Sequence, residues 1–253
     1  MRRCLIDALY LRRVNLIYIT GDIHGDYDIS KLSRKNFPEQ TQLTRKDYLI
    51  ICGDFGLVWN NSNEEIYWRK WLENKPWTTL WIDGNHENFD LLEQYKEYSW
   101  KGGKIQKISD HVFHLCRGYV FDIDNVKIFA FGGAESHDKF YRKWGVSMWQ
   151  QELPNQLEME RGIRSLEASG WETDIVITHT LPTSLQMKYF GNYDYKANEL
   201  TDYFEEIGKR LKFRSWFSGH YHKSRQIDEN YYMVYNDILR LTSSGAEIVK
   251  QTR

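Results

Sequence analysis

The chain has 253 residues, 41% of them hydrophobic and 27% charged, and a formal net charge of −1. That length and apolar content can bury a substantial core, which excludes a disordered chain, and the balanced charge gives no overall basic footprint for nucleic acid. Three cysteines, Cys4, Cys52 and Cys116, without CxxC spacing, argue against a disulfide scaffold and for a reducing, cytoplasmic setting.

The first residues read MRRCLIDALYLRR. Their apolar stretch is short and broken by Asp7, so no signal peptide is expected. Residues 1–13 are read as an extension of a single domain spanning 1–253. No run of eighteen apolar residues exists, so no membrane span is expected. The first strand is predicted over Leu16–Thr20, the second over Tyr48–Ile51 and the third over Thr79–Ile82. Each is a short apolar run ending near glycine, which suits a strand buried on both faces. A helix is predicted over Glu64–Glu73, and the alternation suggests a sheet covered by helices.

The texture changes from Lys104. Strands are predicted over Lys104–Ile108, Val112–Leu115, Tyr119–Ile123 and Val126–Phe131, with Asp124-Asn125 as a hairpin turn and an antiparallel rather than βαβ topology. A helix over Leu153–Ala168, a strand over Ile175–Thr178, and a helix over Asn198–Leu211 follow. Trp216 to Ser218 then leads to Gly219-His220-Tyr221-His222, and Tyr231–Val249 holds further strand-like pieces.

The polar residues at these strand ends are Asp22, His24, Asp54, Asn85, His86, His179, His220 and His222. Ligands of open α/β sheets gather at the carboxyl ends of strands, so distant clusters can converge on one edge. An isolated DxH, GNH or HxH is weak evidence, since a lone histidine is usually a surface or hydrogen-bonded residue. Five of the eight histidines lie in these clusters, and the conjunction points to a site. Mixed oxygen and imidazole donors suit two divalent ions, manganese first, with iron, zinc, cobalt or nickel as alternatives. Two such ions can neutralise phosphoryl oxygens and acidify water. Asp54 would hold the ions apart, and His86 would protonate the leaving alkoxide or stabilise charge.

The motifs GDIHGD (21–26), GD (53–54), GNHE (84–87), the strand-end His179 and GHYH (219–222) resemble the calcineurin-like metallophosphoesterase superfamily. The resemblance implies an α/β, four-layer α/β/β/α sandwich. It assigns Asp22, His24, Asp54 and His222 to one metal and Asp54, Asn85, His179 and His220 to the other, with His86 as the catalytic histidine. Asn85 then also borders the substrate. Relatives resembling calcineurin itself carry GDxVDRG, whereas this chain reads Gly53-Asp54-Phe55-Gly56-Leu57-Val58. The missing arginine weakens a protein phosphatase reading. Glu87 stands where many relatives have Asp, and is expected to orient His86 across one extra methylene. The GDFG form with GGAESHDKFYR resembles small bacterial and phage members.

The expected partner is a phosphate ester, either diester or monoester, with no membrane and no oligomeric state implied. A nuclease, a protein phosphatase and a catalytically silent interaction module on the same fold are the alternatives. Arg142 is placed at the substrate cleft as a planar fork for a phosphate oxygen, on a segment with Ser136, His137, Asp138, Tyr141, Trp144 and Trp149. The alternative is a surface ion pair. His111 and His114 are read as structural or solvent-facing, and Cys52 as packing.

Overall fold

Residues 15–191, 195–243 and 245–250 are described by the computed structural model; the extension expected at 1–13 lies outside them. Strands β1 (Ile17–Thr20) and β2 (Tyr48–Ile51) pair in parallel, and both are buried throughout. Helix α1 (Asn63–Glu73) starts where the Ser62 side chain accepts the Glu65 N–H, and leads to β3 (Thr78–Trp81), parallel to β2. After the single turn α2 (Phe89–Leu92), strands β4 (Glu97–Trp100), β5 (Gly103–Ser109) and β6 (Val112–Leu115) form an antiparallel meander. Strand β6 returns alongside β3 in parallel.

Strands β7 (Tyr119–Ile123) and β8 (Val126–Phe131) are an antiparallel hairpin. Its turn residues have positive φ, 55° at Asp124 and 69° at Asn125, as a type I′ turn requires. Helix α3 (Gln156–Ala168) begins later than expected. Leu153 is extended because the following proline disfavours a helical backbone, and Asn155 supplies the cap. Strand β9 (Ile175–Thr178), helices α4 (Thr183–Phe190) and α5 (Glu199–Arg210), and strands β10 (Ser215–Ser218), β11 (Arg225–Gln226), β12 (Tyr231–Met233), β13 (Ile238–Thr242) and β14 (Gly245–Lys250) complete the chain.

Among the described residues the strands form two sheets. One has eight strands in the order β14-β13-β1-β2-β3-β6-β5-β4, and the other six in the order β11-β12-β10-β9-β8-β7. The antiparallel topology expected for the middle of the chain holds within β4–β6 and within β7–β8, but not where these pieces join their sheets. The meander β4–β6 belongs to the first sheet and the hairpin β7–β8 to the second, and β6 and β8 each gain a parallel neighbour.

The side chains resolve the layers, because successive residues of a strand face opposite ways. Ile17, Ile19, Ile50 and Leu80 meet Ile128, Ala130, Ile175, Ile177 and Phe217 between the sheets. Tyr18, Leu49, Ile51 and Trp81 face outward onto Leu72 of α1 and onto Ile29, Leu32 and Trp77. Phe129, Phe131, Val176 and Trp216 face the other way onto Leu166 of α3 and Leu200, Phe204 and Ile207 of α5. The result is the expected α/β/β/α sandwich. Full burial of each large apolar side chain is worth about 1.5–3 kcal/mol. The inter-sheet layer thus locks together two sheets whose parallel strands all end on one edge.

Candidate metal centre

That edge collects the polar strand ends. Asp22 and His24 follow β1, Asp54 follows β2, Asn85 and His86 follow β3, His179 follows β9, and His220 and His222 follow β10. Asp22, His24, Asp54 and His222 each offer a ligand atom, and these atoms all lie within 4.8 Å of one another. On the far side of Asp54, His179 Nε2 is 3.2 Å from Asp54 Oδ1 and 3.3 Å from Asn85 Oδ1. The His220 ring centroid is 5.1 Å from that of His179. Asp54 therefore stands between both expected ligand sets, with His24 Nε2 3.3 Å from its other oxygen.

The backbone is bent to achieve this. His24, Asp54, His220 and His222 all have positive φ, from 43° to 70°. That region is uncommon for residues with a Cβ, and such strain clusters at functional sites. The Asp54 carbonyl accepts the N–H groups of both Ile23 and His24, which ties the two loops together. Gly53 has φ 99°, and a Cβ there would lie 2.1 Å from His179 Nδ1. A Cβ on Gly84 would lie 2.1 Å from Asp54 Oδ1. Side chains at these positions would fill the cradle.

The donor set fits a divalent cation. His179 Nδ1 lies 2.7 Å from the Cys52 carbonyl, which can only accept, so Nδ1 carries the proton and Nε2 faces two further acceptors, on Asp54 and Asn85. Such a convergence needs a proton or a cation among its members. Proton and metal compete for the position. Burial alone would depress His179, but the Asp54 charge and hydrogen bond, with Asp22 and the Cys52 carbonyl, push it up to about 9. His24 is likewise opposed by burial and pushed up to about 9 by Asp54, Asp22 and Asp28. Against its own burial, Asp54 is held well below the usual carboxylate range by His179, His86 and His24. Burial raises Asp22 and lowers His220, where the His179 charge adds to the effect.

Two supporting residues escaped the sequence reading. Asp28 accepts from His24 Nδ1 at 2.7 Å, the outer hydrogen bond that fixes a ligand imidazole. Its signal was available, a carboxylate four residues beyond His24. Buried Lys31 donates to the carbonyls of Gly21, Asp22 and Tyr235 at 3.0, 2.6 and 2.6 Å. Nothing in ISKL announced that role.

His86 sits at the open side, its backbone N–H on Asp54 Oδ1 at 2.8 Å and its ring 5.4 Å from that of His24. Burial, countered by Asp54 but reinforced by Arg142 and His24, lowers its imidazole to about 4. Arg142 is the reason for part of this. Its Nη2 lies against both ring nitrogens of His86, 2.9 Å from Nδ1 and closer still to Nε2, its Nη1 donates to the carbonyls of Asn85 and Ser147 at 3.0 Å each, and its Nε is 2.8 Å from Asp138. The side chain is 5% exposed. Arg142 thus pairs with Asp138 while its other donors hold the Asn85–His86 loop.

Glu87 also departs from expectation. Its carboxylate accepts the N–H groups of Phe55 and Gly56 at 2.7 and 3.2 Å, so it braces the loop beyond Asp54 and not the His86 ring. Burial and the Asp54 charge push it up. Asn85, 2% exposed, donates to Ser136 Oγ, which donates to Glu152; this turns the Asn85 oxygen toward His179. His137 stands 5.9 Å from the His220 ring. Trp149 is buried and donates to Asp90 at 2.9 Å, whereas Tyr141 and Trp144 are exposed. His111 binds Glu73, and His114 lies between Gln106 and Asp83, away from the centre. Cys52 is buried, and burial raises its thiol.

Two cavities flank the Asn85–His86 loop. One of about 590 Å³ opens onto His24, His86 and His222. A larger one of about 770 Å³ is lined by Asp83, Arg117, Trp144, Met148, Trp149 and Glu152 and touches none of the clustered ligands. Of the segment after Phe131, Glu135, Lys139, Trp144, Met148 and Trp149 border this second cavity, while Ser136, His137 and Arg142 reach Asn85, the His220 ring and His86 at the centre.

A family profile described as calcineurin-like phosphoesterase matches residues 16–224. Lariat debranching enzyme A of Xenopus laevis is 24% identical over 242 residues, covering 81% of this chain and 42% of that one. The lariat debranching enzyme of Arabidopsis thaliana is 22% identical over 237 residues, covering 81% and 54%. The chain thus spans about half the length of these curated relatives. The structure of GAP50, the anchor in the inner membrane complex of Plasmodium, superposes with a TM-score of 0.50 at 9% identity, covering 93% of this chain and 84% of that one.

Proposed function

The chain belongs to the calcineurin-like phosphoesterase family, and from that premise we propose that it hydrolyses phosphate esters with two divalent metal ions, manganese first among them. The observation that carries this reading is Asp54, which faces His24 on one carboxylate oxygen and His179 on the other. Asp22, His24, Asp54 and His222 would hold one ion, and Asp54, Asn85, His179 and His220 the second. When bound, the ions supply positive charge that neutralises phosphoryl oxygens and lets water ionise near neutral pH.

The chain's own residues do the rest. Asp28 and the Cys52 carbonyl fix the His24 and His179 tautomers so that each presents Nε2 inward. Ser136 turns the Asn85 oxygen the same way. Arg142 holds His86 at the mouth, where the imidazole would protonate the departing oxygen or stabilise its charge. The loop lacks the arginine of the GDxVDRG pattern, which counts against a protein phosphatase.

The test uses bis(4-nitrophenyl) phosphate and 4-nitrophenyl phosphate. Chelator-treated protein should be inactive, manganese should restore hydrolysis, and Asp54→Asn should abolish both activity and metal retention. Metal-loaded wild type that hydrolyses neither ester with any of the five candidate metals would instead favour the silent interaction module.

A further inference from the structure

The opening at the metal ligands has an asymmetric chemistry. His24, His86 and His222 form one end of the 590 Å³ cavity. Tyr27, Trp59, Trp68 and Tyr235 wall the rest. Three of these rings are held by aromatic neighbours. Trp59 meets Trp149 edge-on at 5.5 Å, and Trp68 meets Trp71 at 5.4 Å. Tyr235 stacks on His222 at 4.6 Å with 14° between planes, its hydroxyl on Asp28. Tyr27, in the loop after β1, is 84% exposed. An aromatic ring left in water beside three fixed aromatic faces offers stacking area that the fold itself leaves uncovered.

The charged lining has one sign. Asp26, Asp28, Glu64 and Glu65 border the groove, and no lysine or arginine is among its lining residues. Glu65 is buried against Arg69 and two backbone N–H groups, and Asp28 is bonded to His24 and Tyr235, so the exposed carboxylates of Asp26 and Glu64 are the ones that would repel a second phosphate. The volume lies within the usual range for small-ligand clefts, roughly 300–1,000 Å³, and accommodates a nucleoside.

We infer that this groove receives the base of a nucleoside esterified to the reacting phosphate, with Tyr27 and Trp68 as specificity-determining stacking faces, and that it disfavours esters carrying further phosphates; this rests on the phosphoester reading above. Stacking by a single aromatic side chain is worth roughly 5–150-fold in binding.

Binding of adenosine 5′-phosphate, ribose 5-phosphate and adenosine 3′,5′-bisphosphate to the manganese-loaded protein tests it by calorimetry. Adenosine 5′-phosphate should bind about tenfold or more tighter than ribose 5-phosphate, since only it carries a base to stack. Tyr27→Ala should remove roughly 5–50-fold of that affinity and leave ribose 5-phosphate unchanged; Tyr27 is exposed, so the fold is spared. Trp68→Leu should act in the same direction, and Tyr27→Phe should retain the preference. The bisphosphate should bind no tighter than the monophosphate. Equal binding with and without the base, indifference to both Tyr27→Ala and Trp68→Leu, or tighter binding of the bisphosphate would overturn the inference. Hydrolysis of bis(4-nitrophenyl) phosphate by the same preparation reports on the enzyme reading separately. Hydrolysis without base preference rejects the groove alone, and base preference with no hydrolysis of either nitrophenyl ester with any of the five candidate metals rejects the enzyme reading alone.

Discussion

Gly84→Ala should disable the centre while leaving the protein folded. A Cβ at this position would lie 2.1 Å from Asp54 Oδ1, 2.5 Å from the Asp54 nitrogen and 2.7 Å from His179 Nε2. Gly84 is absent from the positive-φ glycines, so its backbone accommodates alanine and the test is steric. Carbon–oxygen contacts settle near ~3.3 Å, which requires the Asp54 carboxylate to retreat by about 1 Å. Since part of the clash is with backbone, rotating one side chain does not relieve it. A shift of about 1 Å at reacting groups costs on the order of 100-fold, and a crowded core typically loses about 1–3 kcal/mol. Metal content by elemental analysis, kcat/KM on bis(4-nitrophenyl) phosphate and a thermal melt should be measured on one preparation. The expected variant is folded, deficient in metal and about 100-fold or more impaired. Full metal content with kcat/KM within about threefold of wild type would refute the claim that this contact sets the ligand geometry.

His86→Ala should keep its metals but lose roughly 10²–10⁴-fold in turnover on a poor leaving group; the loss should be smaller for 4-nitrophenolate, and the comparison of the two esters decides the role. Arg117 and Asp83, 4% and 2% exposed, form a buried pair with Arg117 Nε 2.8 Å from Asp83 Oδ2. Arg117→Met leaves the Asp83 carboxylate with His114 alone at a cost of about 3–5 kcal/mol, or roughly 6–20 °C in Tm for a domain of this size, and an unchanged melt would refute the pair's contribution. Glu73 accepts from Ser109, the His111 backbone and the His111 ring; although burial opposes it, these bonds hold its carboxyl below the usual value. A depressed folded-state value stabilises above the unfolded pKa of about 4.3 and loses that advantage as pH falls through the folded one. The urea midpoint gap between wild type and Glu73→Gln should therefore be present at about pH 6 and shrink below about pH 4.

Most strands legible in advance are largely buried, and the Tyr119–Ile123 edge strand was legible through its hairpin turn at Asp124-Asn125. Tyr48–Ile51, Val112–Leu115, Val126–Phe131 and Ile175–Thr178 have the expected bounds because a continuous apolar run has no other use at that length. Glu97–Trp100 went unseen: it is an edge strand, exposed along most of its length, and its pairing with β5 leaves little mark in composition. Helix α4 is short and begins directly after Pro182. At the site, residues that end strands were readable, since glycine and an apolar run frame them. Lys31, Arg117 and Glu87 were not readable in their roles, because their partners are backbone groups or side chains brought close only by the fold. The same holds for Arg142: sequence places a guanidinium near the cleft, but the Asn85 and Ser147 carbonyls that its donors meet are brought there only by the fold.

The seam between the sheets has a consequence for how the protein matures. Asp22 accepts the backbone N–H of His220 across 198 residues of chain, and each proposed ion draws ligands from both sheets. Closing a loop of that length costs roughly 5 kcal/mol of chain entropy. Neither half of the polypeptide can assemble a complete ligand set by itself, so ion capture belongs to the end of folding, not to its nucleation. The ions would then act as a late clasp, slowing the reopening of the sandwich more than they hasten its formation.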